Sequence, residues 1–348
     1  MSSEKLEIGG TTVEPGTRVT LELPVAGLYS HAPMTLPVQI VCGKRSGPTL
    51  FVSAAVHGDE INGVEIIRRL LRLPLLNKLR GALLAIPIVN VYGFVNSSRY
   101  LPDRRDLNRS FPGSHSGSMA ARLAHMFLNE IVSKSDYGID LHTGAIHREN
   151  LPQIRANLDD PETVRIANAF HVPLLLNSNL RDGSLRQIAA ERGIPILLYE
   201  AGEALRFNEH SIRAGVKGIL AVMRELGMLP AASRARKQME PLIARSSYWV
   251  RASRSGILRA SSGLGSRVHK DEAIGVIADP FGEQETEVHA SSNGIIIGRT
   301  NLPLVNEGEG IFHIARFEST RAAENNVDAF QSDELTLGPV LDKEPPIV

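Results

Sequence analysis

The chain is poor in the features that mark several protein classes. It holds one cysteine, Cys42, so an intrachain disulfide and a cysteine-rich metal site are both excluded. It has no excess of either charge: 38 Lys and Arg stand against 38 Asp and Glu. A nucleic-acid or anionic-membrane surface usually needs a basic surplus, so neither partner is expected. No apolar run approaches the roughly 18–20 residues of a membrane helix. The start, Met1-Ser-Ser-Glu-Lys-Leu-Glu-Ile, lacks the basic stretch and apolar run of a secretory signal, which points to a cytoplasmic protein. No Gly-x-Ser-x-Gly elbow occurs, which argues against a serine hydrolase of the α/β-hydrolase kind. The Gly-rich stretch 261–265 lacks the lysine and following helix of a phosphate-binding loop.

What is present is an ordinary globular composition, 43% hydrophobic over 348 residues, enough for one large unit and a smaller one. Short β-like runs at 18–23 and 37–41 form an N-terminal segment, 1–44, that goes with the main unit. From Thr49 apolar strand-length runs alternate with amphipathic segments. Strands are expected at 50–56, 82–89, 137–141, 173–176 and 194–199. Pro87 suggests that the second of these lies near an edge or bend. Helices are expected after Ile61, after Met119, over 161–170, from Ser184 and over 209–226. A polar loop spans 93–116. The alternation predicts an α/β unit over 45–230 with a mostly parallel or mixed sheet. A polar linker, 231–245, then leads to short strands separated by Gly, Ser and Asn turns, a small all-β unit over 246–320. The tail, 321–348, is acidic and expected to be loosely held.

Three strand ends carry the chemistry. In Ala55-Val56-His57-Gly58-Asp59-Glu60 a His and a Glu three apart, where a strand gives way to a helix, can aim an imidazole and a carboxylate at one point. Gly58 is expected to permit a tight turn. Asp140-Leu141-His142-Thr143-Gly144 adds a second His at another strand end. Two His and one carboxylate are a known catalytic zinc composition, with one position left for water. Leu198-Tyr199-Glu200-Ala201-Gly202 supplies a carboxylate of the kind that serves as general base. On the polar loop, Asp106-Leu107-Asn108-Arg109 offers a fork-shaped guanidinium and an amide for a substrate carboxylate. Arg99, Arg104 and Arg105 are all candidates to polarise a scissile carbonyl. His147, five residues past His142, is read as a surface or supporting residue.

Taken in order, His57-Gly58-Asp59-Glu60, Asp106-Leu107-Asn108-Arg109, Asp140-Leu141-His142 and Tyr199-Glu200-Ala201-Gly202 resemble the succinylglutamate desuccinylase/aspartoacylase family, which belongs with the zinc carboxypeptidases. The resemblance covers roughly 45–230. It implies one Zn²⁺ per chain, held by His57, Glu60 and His142, with Glu200 as general base and Asn108 and Arg109 gripping the substrate carboxylate. It implies Asp106 as the support of the first His, and it matches Arg99 in Ser98-Arg99-Tyr100 to the carbonyl-polarising residue, although the spacing to Asn108 is longer than in aspartoacylases. The expected activity is hydrolysis of the amide of a small N-acyl amino acid or related carboxylate. An esterase or carboxypeptidase using the same site, and a non-catalytic zinc-binding protein, are the alternatives. Arg148 or Arg155 offers a second cation for a desuccinylase. The β unit resembles a lipoyl- or biotinyl-type barrel sandwich, but 279–287 contains no lysine, so a lid or assembly role fits better than a carrier role. Homo-oligomerisation is left open.

Overall fold

The computed structural model describes residues 5–27, 30–178, 181–231 and 240–336. The expected α/β organisation is present. Thirteen strands make one mixed sheet flanked by helices, and a further four make a small antiparallel sheet from C-terminal residues. At the centre, Arg45–Ala54 runs parallel to both Arg80–Ile86 and Tyr137–Gly144, and Ile196–Glu203 runs parallel to Tyr137–Gly144.

These strands are covered on both faces, which is why their sequences read as continuous apolar runs. Alternation still sorts the side chains. Leu50, Val52, Ile139, Leu141, Leu197 and Tyr199 pack into one core with helices Asn62–Leu71 and Glu209–Glu225. Phe51, Leu84 and Ile196 pack into the other, with Met119–Glu130. Because side chains alternate, Asp140, His142 and Glu200 fall on the face opposite Leu141 and Tyr199. Helix starts follow capping rules: Asp160 precedes Pro161 and accepts from Thr163 N, Ser184 accepts from Gln187 N, and Asn208 accepts from Ser211 N.

Several expectations are corrected. Of the edge or bend that Pro87 suggested, the bend is present and the edge is not: Pro87 lies at the bend that follows the strand. Arg80–Ile86 lies between Pro33–Cys42 and Arg45–Ala54, and it stops before Pro87, so the missing N–H costs no ladder bond. Arg148–Ala156 is an unanticipated strand, antiparallel to both Ile196–Glu203 and Gly294–Thr300. Its polar composition hid it. The expected all-β C-terminal part is present, with its own four-stranded antiparallel sheet, and through this strand its other strands, Gly294–Thr300, Gly310–Arg316 and Ser246–Arg251, also continue the large sheet. Of the stretch read as a linker, 232–239 lies outside the described residues, but Leu242–Ala244 is a strand paired with Leu174–Leu176. The tail is not loose over Thr320–Thr336, which is a helix. Ala323 and Val327, one turn apart, are buried with Leu151, Ile295 and Ile297. The remaining tail, 337–348, lies outside the described residues. The 93–116 loop is ordered around buried Leu101, Leu107 and Phe111. Among the described residues no helix is long and apolar enough to cross a membrane.

Candidate metal centre and active site

His57 follows the Arg45–Ala54 strand after a residue in the left-handed region, Ala55 (φ 50°). Glu60 N donates to His57 O at 3.1 Å, closing the turn that brings both side chains to one side. Gly58 is needed for space rather than for its dihedrals: a Cβ there would lie 2.0 Å from the carbonyl carbon of Gly93. His142 enters from the neighbouring strand. All three side chains are buried, and one donor atom from each lies within 4.8 Å of the others.

The ring orientations are informative. Nδ1 of His57 lies 2.8 Å from Glu60 Oε1, and Nδ1 of His142 lies 2.7 Å from Glu60 Oε2. The two Nε2 atoms face outward, to Asp106 Oδ1 at 3.1 Å and Asp140 Oδ2 at 2.8 Å. Without a metal both nitrogens of each ring face a carboxylate, which favours the protonated imidazole; with a divalent ion in place the Nε2 carboxylates would hold the protons there and leave the Nδ1 atoms to the metal. Ser53 Oγ donates to Asp140 Oδ1 at 2.7 Å and fixes that carboxylate in turn. Burial works against charge on Glu60, but His57 and His142 outweigh it and hold the carboxyl well below its usual range. Asp106 is likewise lowered, burial being outweighed by His57 and Arg99. The donor set fits a divalent ion that takes imidazole and carboxylate ligands.

Glu200 is the Cα partner of His142 across the two parallel strands, and both line a cavity of about 220 Å³. Arg99 lines the same cavity, with Nη1 3.2 Å from Glu60 Oε1 and Nη2 3.0 Å from Asp106 Oδ2. Arg104 and Arg105 are exposed and do not line it. Asn108 is buried and Arg109 sits at the margin.

With this geometry in hand, comparison with known proteins is decisive. The model of the succinylglutamate desuccinylase/aspartoacylase catalytic domain matches residues 46–226, just over half of the chain. The chain belongs to the succinylglutamate desuccinylase/aspartoacylase family. One relative in this family is the N-alpha-acetyl-L-2,4-diaminobutyric acid deacetylase of Halomonas elongata, 27% identical over 85% of this chain and 90% of the relative. The crystal structure of succinylglutamate desuccinylase/aspartoacylase from Rhodobacter sphaeroides superposes with a TM-score of 0.78 at 25% identity, covering 86% of this chain and 96% of the other. The product-bound ectoine utilization protein EutE (DoeB) of Ruegeria pomeroyi shares the fold, with a TM-score of 0.77 at 22% identity over 86% and 94% of the two chains.

As the site of a member of the succinylglutamate desuccinylase/aspartoacylase family, the cavity contains more than the motifs announced. Six arginines line it: Arg99, Arg109, Arg148, Arg155, Arg181 and Arg186. The lining carboxylates are Glu60, Asp140 and Glu200. Arg155 Nη1 stands 3.7 Å from Glu200 Oε1. Arg186, 9% exposed, has Ser178 at 3.3–3.4 Å as its hydrogen-bond partner among the described residues; burial, with Arg155 nearby, lowers its pKa to about 10. Arg148 lies over the Trp249 ring, which stacks on His313 at 4.6 Å, so the C-terminal residues furnish one wall. His147 is half exposed and does not line the cavity; its backbone N donates to Glu203. The sequence reading missed Arg181, Arg186, Asn150 and Trp249, and it gave no role to Asp140, although residues two apart on a strand share a face.

Proposed function

We propose that this chain is a zinc-dependent deacylase that hydrolyses the amide of a small N-acyl amino acid or related carboxylate. The observation that carries the reading is the buried convergence of His57, Glu60 and His142 with Glu200 beside them in one cavity. One Zn²⁺ per chain would be held by those three residues, in a main unit over 45–230 of zinc-carboxypeptidase type, with a barrel-sandwich-like unit over 246–320 and a cytoplasmic location. When bound, zinc supplies the Lewis acidity that makes water nucleophilic near neutral pH.

The chain's own residues do the rest. Glu200 takes the proton of the attacking water and returns it to the departing amine. Arg99 donates to the carbonyl oxygen as negative charge develops there. Asn108 Oδ1 already accepts from Leu185 N at 3.0 Å, so its Nδ2 is the group left to donate to a substrate carboxylate, beside the Arg109 fork. Asp106 and Asp140 hold the imidazole rings.

The surplus of guanidinium also speaks to the substrate. Among the described residues no carboxylate oxygen lies within 4.0 Å of the Arg109 or Arg186 guanidinium, although Asp106 acts on the first and Glu200 and Asp140 on the second from farther away; Arg109 Nη1 donates to the Asn108 carbonyl at 2.5 Å. Such a cavity favours a substrate with two carboxylates over one bearing a side-chain ammonium, such as the N-alpha-acetyl-L-2,4-diaminobutyric acid in the Halomonas relative's name. The test is a panel on the zinc-loaded protein: N-acetyl and N-succinyl derivatives of aspartate and glutamate against N-acetyl-2,4-diaminobutyrate. We expect kcat/KM for the best of these di- and tricarboxylates to exceed that for the diaminobutyrate by at least roughly tenfold. The reverse order contradicts the charge argument. Zinc binding without turnover of any amide contradicts the deacylase reading and favours a binding protein.

A further inference from the structure

We propose that Asn150 is a positioning residue for Glu200, and that Gly298 of the C-terminal residues leaves the space it needs. The inference rests on the reading of Glu200 as the base. Asn150 lies on Arg148–Ala156, the strand joining the central sheet to the C-terminal strands, and is 9% exposed. Its Nδ2 donates to Glu200 Oε2 at 2.5 Å. Among the described residues the other oxygen, Oε1, has no hydrogen bond; Arg155 Nη1 stands 3.7 Å away, an ion pair beyond hydrogen-bond length. One oxygen is thus anchored by a hydrogen bond, while the other, near Arg155 but not hydrogen-bonded to it, is the one placed to exchange a proton. A glutamate with three rotatable bonds would otherwise sample several rotamers, and a misplacement of about 1 Å can cost roughly 100-fold in rate.

The anchor depends on the strand on its far side. Asn150 is the Cα partner of Gly202 on one neighbour and of Gly298 on the other. A Cβ at Gly298 would come 2.8 Å from Asn150 Oδ1 and 3.3 Å from His313 Cβ. The backbone at Gly298 does not have positive φ, so the glycine serves space and not conformation. Larger side chains at 298 must push the amide, and with it the carboxylate it holds. This gives the C-terminal residues a part in the chemistry that is separate from covering the cavity.

The experiment measures kcat, KM, bound zinc and thermal stability for zinc-loaded Asn150→Ala, Asn150→Asp and Gly298→Ala, and repeats Asn150→Ala in a Glu200→Gln background. Asn150→Ala should lower kcat by roughly 10- to 100-fold with KM and zinc little changed. Asn150→Asp, of the same shape but with an acceptor facing a carboxylate, should lower it at least as far. Gly298→Ala should reproduce part of the loss, and Asn150→Ala should add nothing once Glu200 is Gln. Wild-type kcat in Asn150→Ala, or an undiminished effect in the Gln background, overturns the proposal. If Gly298→Ala fails to fold, the two Asn150 variants still decide it. Should Glu200→Gln itself turn over normally, the reading of the base fails, which is a different result from failure of the Asn150 anchor.

Discussion

Glu200 and His142 are direct partners on adjacent parallel strands, so the separation of the proposed base from a proposed metal ligand is set by sheet register. A slip of one residue would turn one of the two to the opposite face. The neighbours Tyr199 and Leu141, fully buried in the opposite core, resist any such slip.

Glu200→Gln should keep zinc and substrate affinity while kcat falls by roughly 10²–10⁴-fold. The amide preserves the shape and the sheet but cannot take a proton. Steady-state kinetics with parallel elemental analysis decides this; turnover within a few-fold of wild type would place the base elsewhere.

Asp140→Asn should weaken zinc binding roughly 10- to 100-fold, because the carboxylate that accepts from His142 Nε2 fixes the ring and makes it a better donor. Competition against a chelator of known affinity measures this. An unchanged zinc affinity would mean that strand geometry alone orients His142.

Arg109→Ala should raise KM for a carboxylate substrate strongly, by a loss of roughly 2–5 kcal/mol where the pair is desolvated, and affect the matched neutral amide far less. Equal losses in kcat/KM for the two would remove Arg109 from carboxylate recognition.

His313 gives a pH prediction. Burial, reinforced by Arg155 and Arg181, lowers its pKa to about 3, with Trp249 stacked on the ring and Ser247 Oγ 2.8 Å from Nε2. The unfolded chain would protonate it near 6.5. Above that pH both states are neutral; below it the unfolded state binds the proton first, so stability falls as pH drops from about 6.5 towards 3. His313→Asn should therefore lose about 2 kcal/mol less stability than wild type between pH 7.5 and pH 5, as read by urea unfolding. Identical losses would show that the ring is protonated in the folded state.

Much of this was legible in the sequence because it is written in local patterns. The apolar runs before His57, His142 and Glu200 mark buried parallel strands, and functional side chains gather at the ends of such strands. Arg148–Ala156 was not legible, because it lines a polar cavity and its alternating charges and amides look like a loop. Arg186 reads as one more polar residue of an amphipathic helix, and only the tertiary fold turns it inward. Asn150 and Gly298 are 148 positions apart and meet only through strand pairing, which no local spacing reveals. The helix Thr320–Thr336 carries only a weak apolar stripe, so its polar surface concealed it.

The central claim is that His57, Glu60 and His142 hold the metal on which amide hydrolysis depends. The most direct measurement is to strip the protein with a chelator, then titrate zinc back while following turnover of the best N-acyl carboxylate. The account predicts that the stripped protein is folded and inactive, that activity returns linearly and saturates at one zinc per chain, and that His142→Ala neither retains zinc nor recovers. Full turnover in the stripped protein, or full zinc occupancy in His142→Ala, would contradict it.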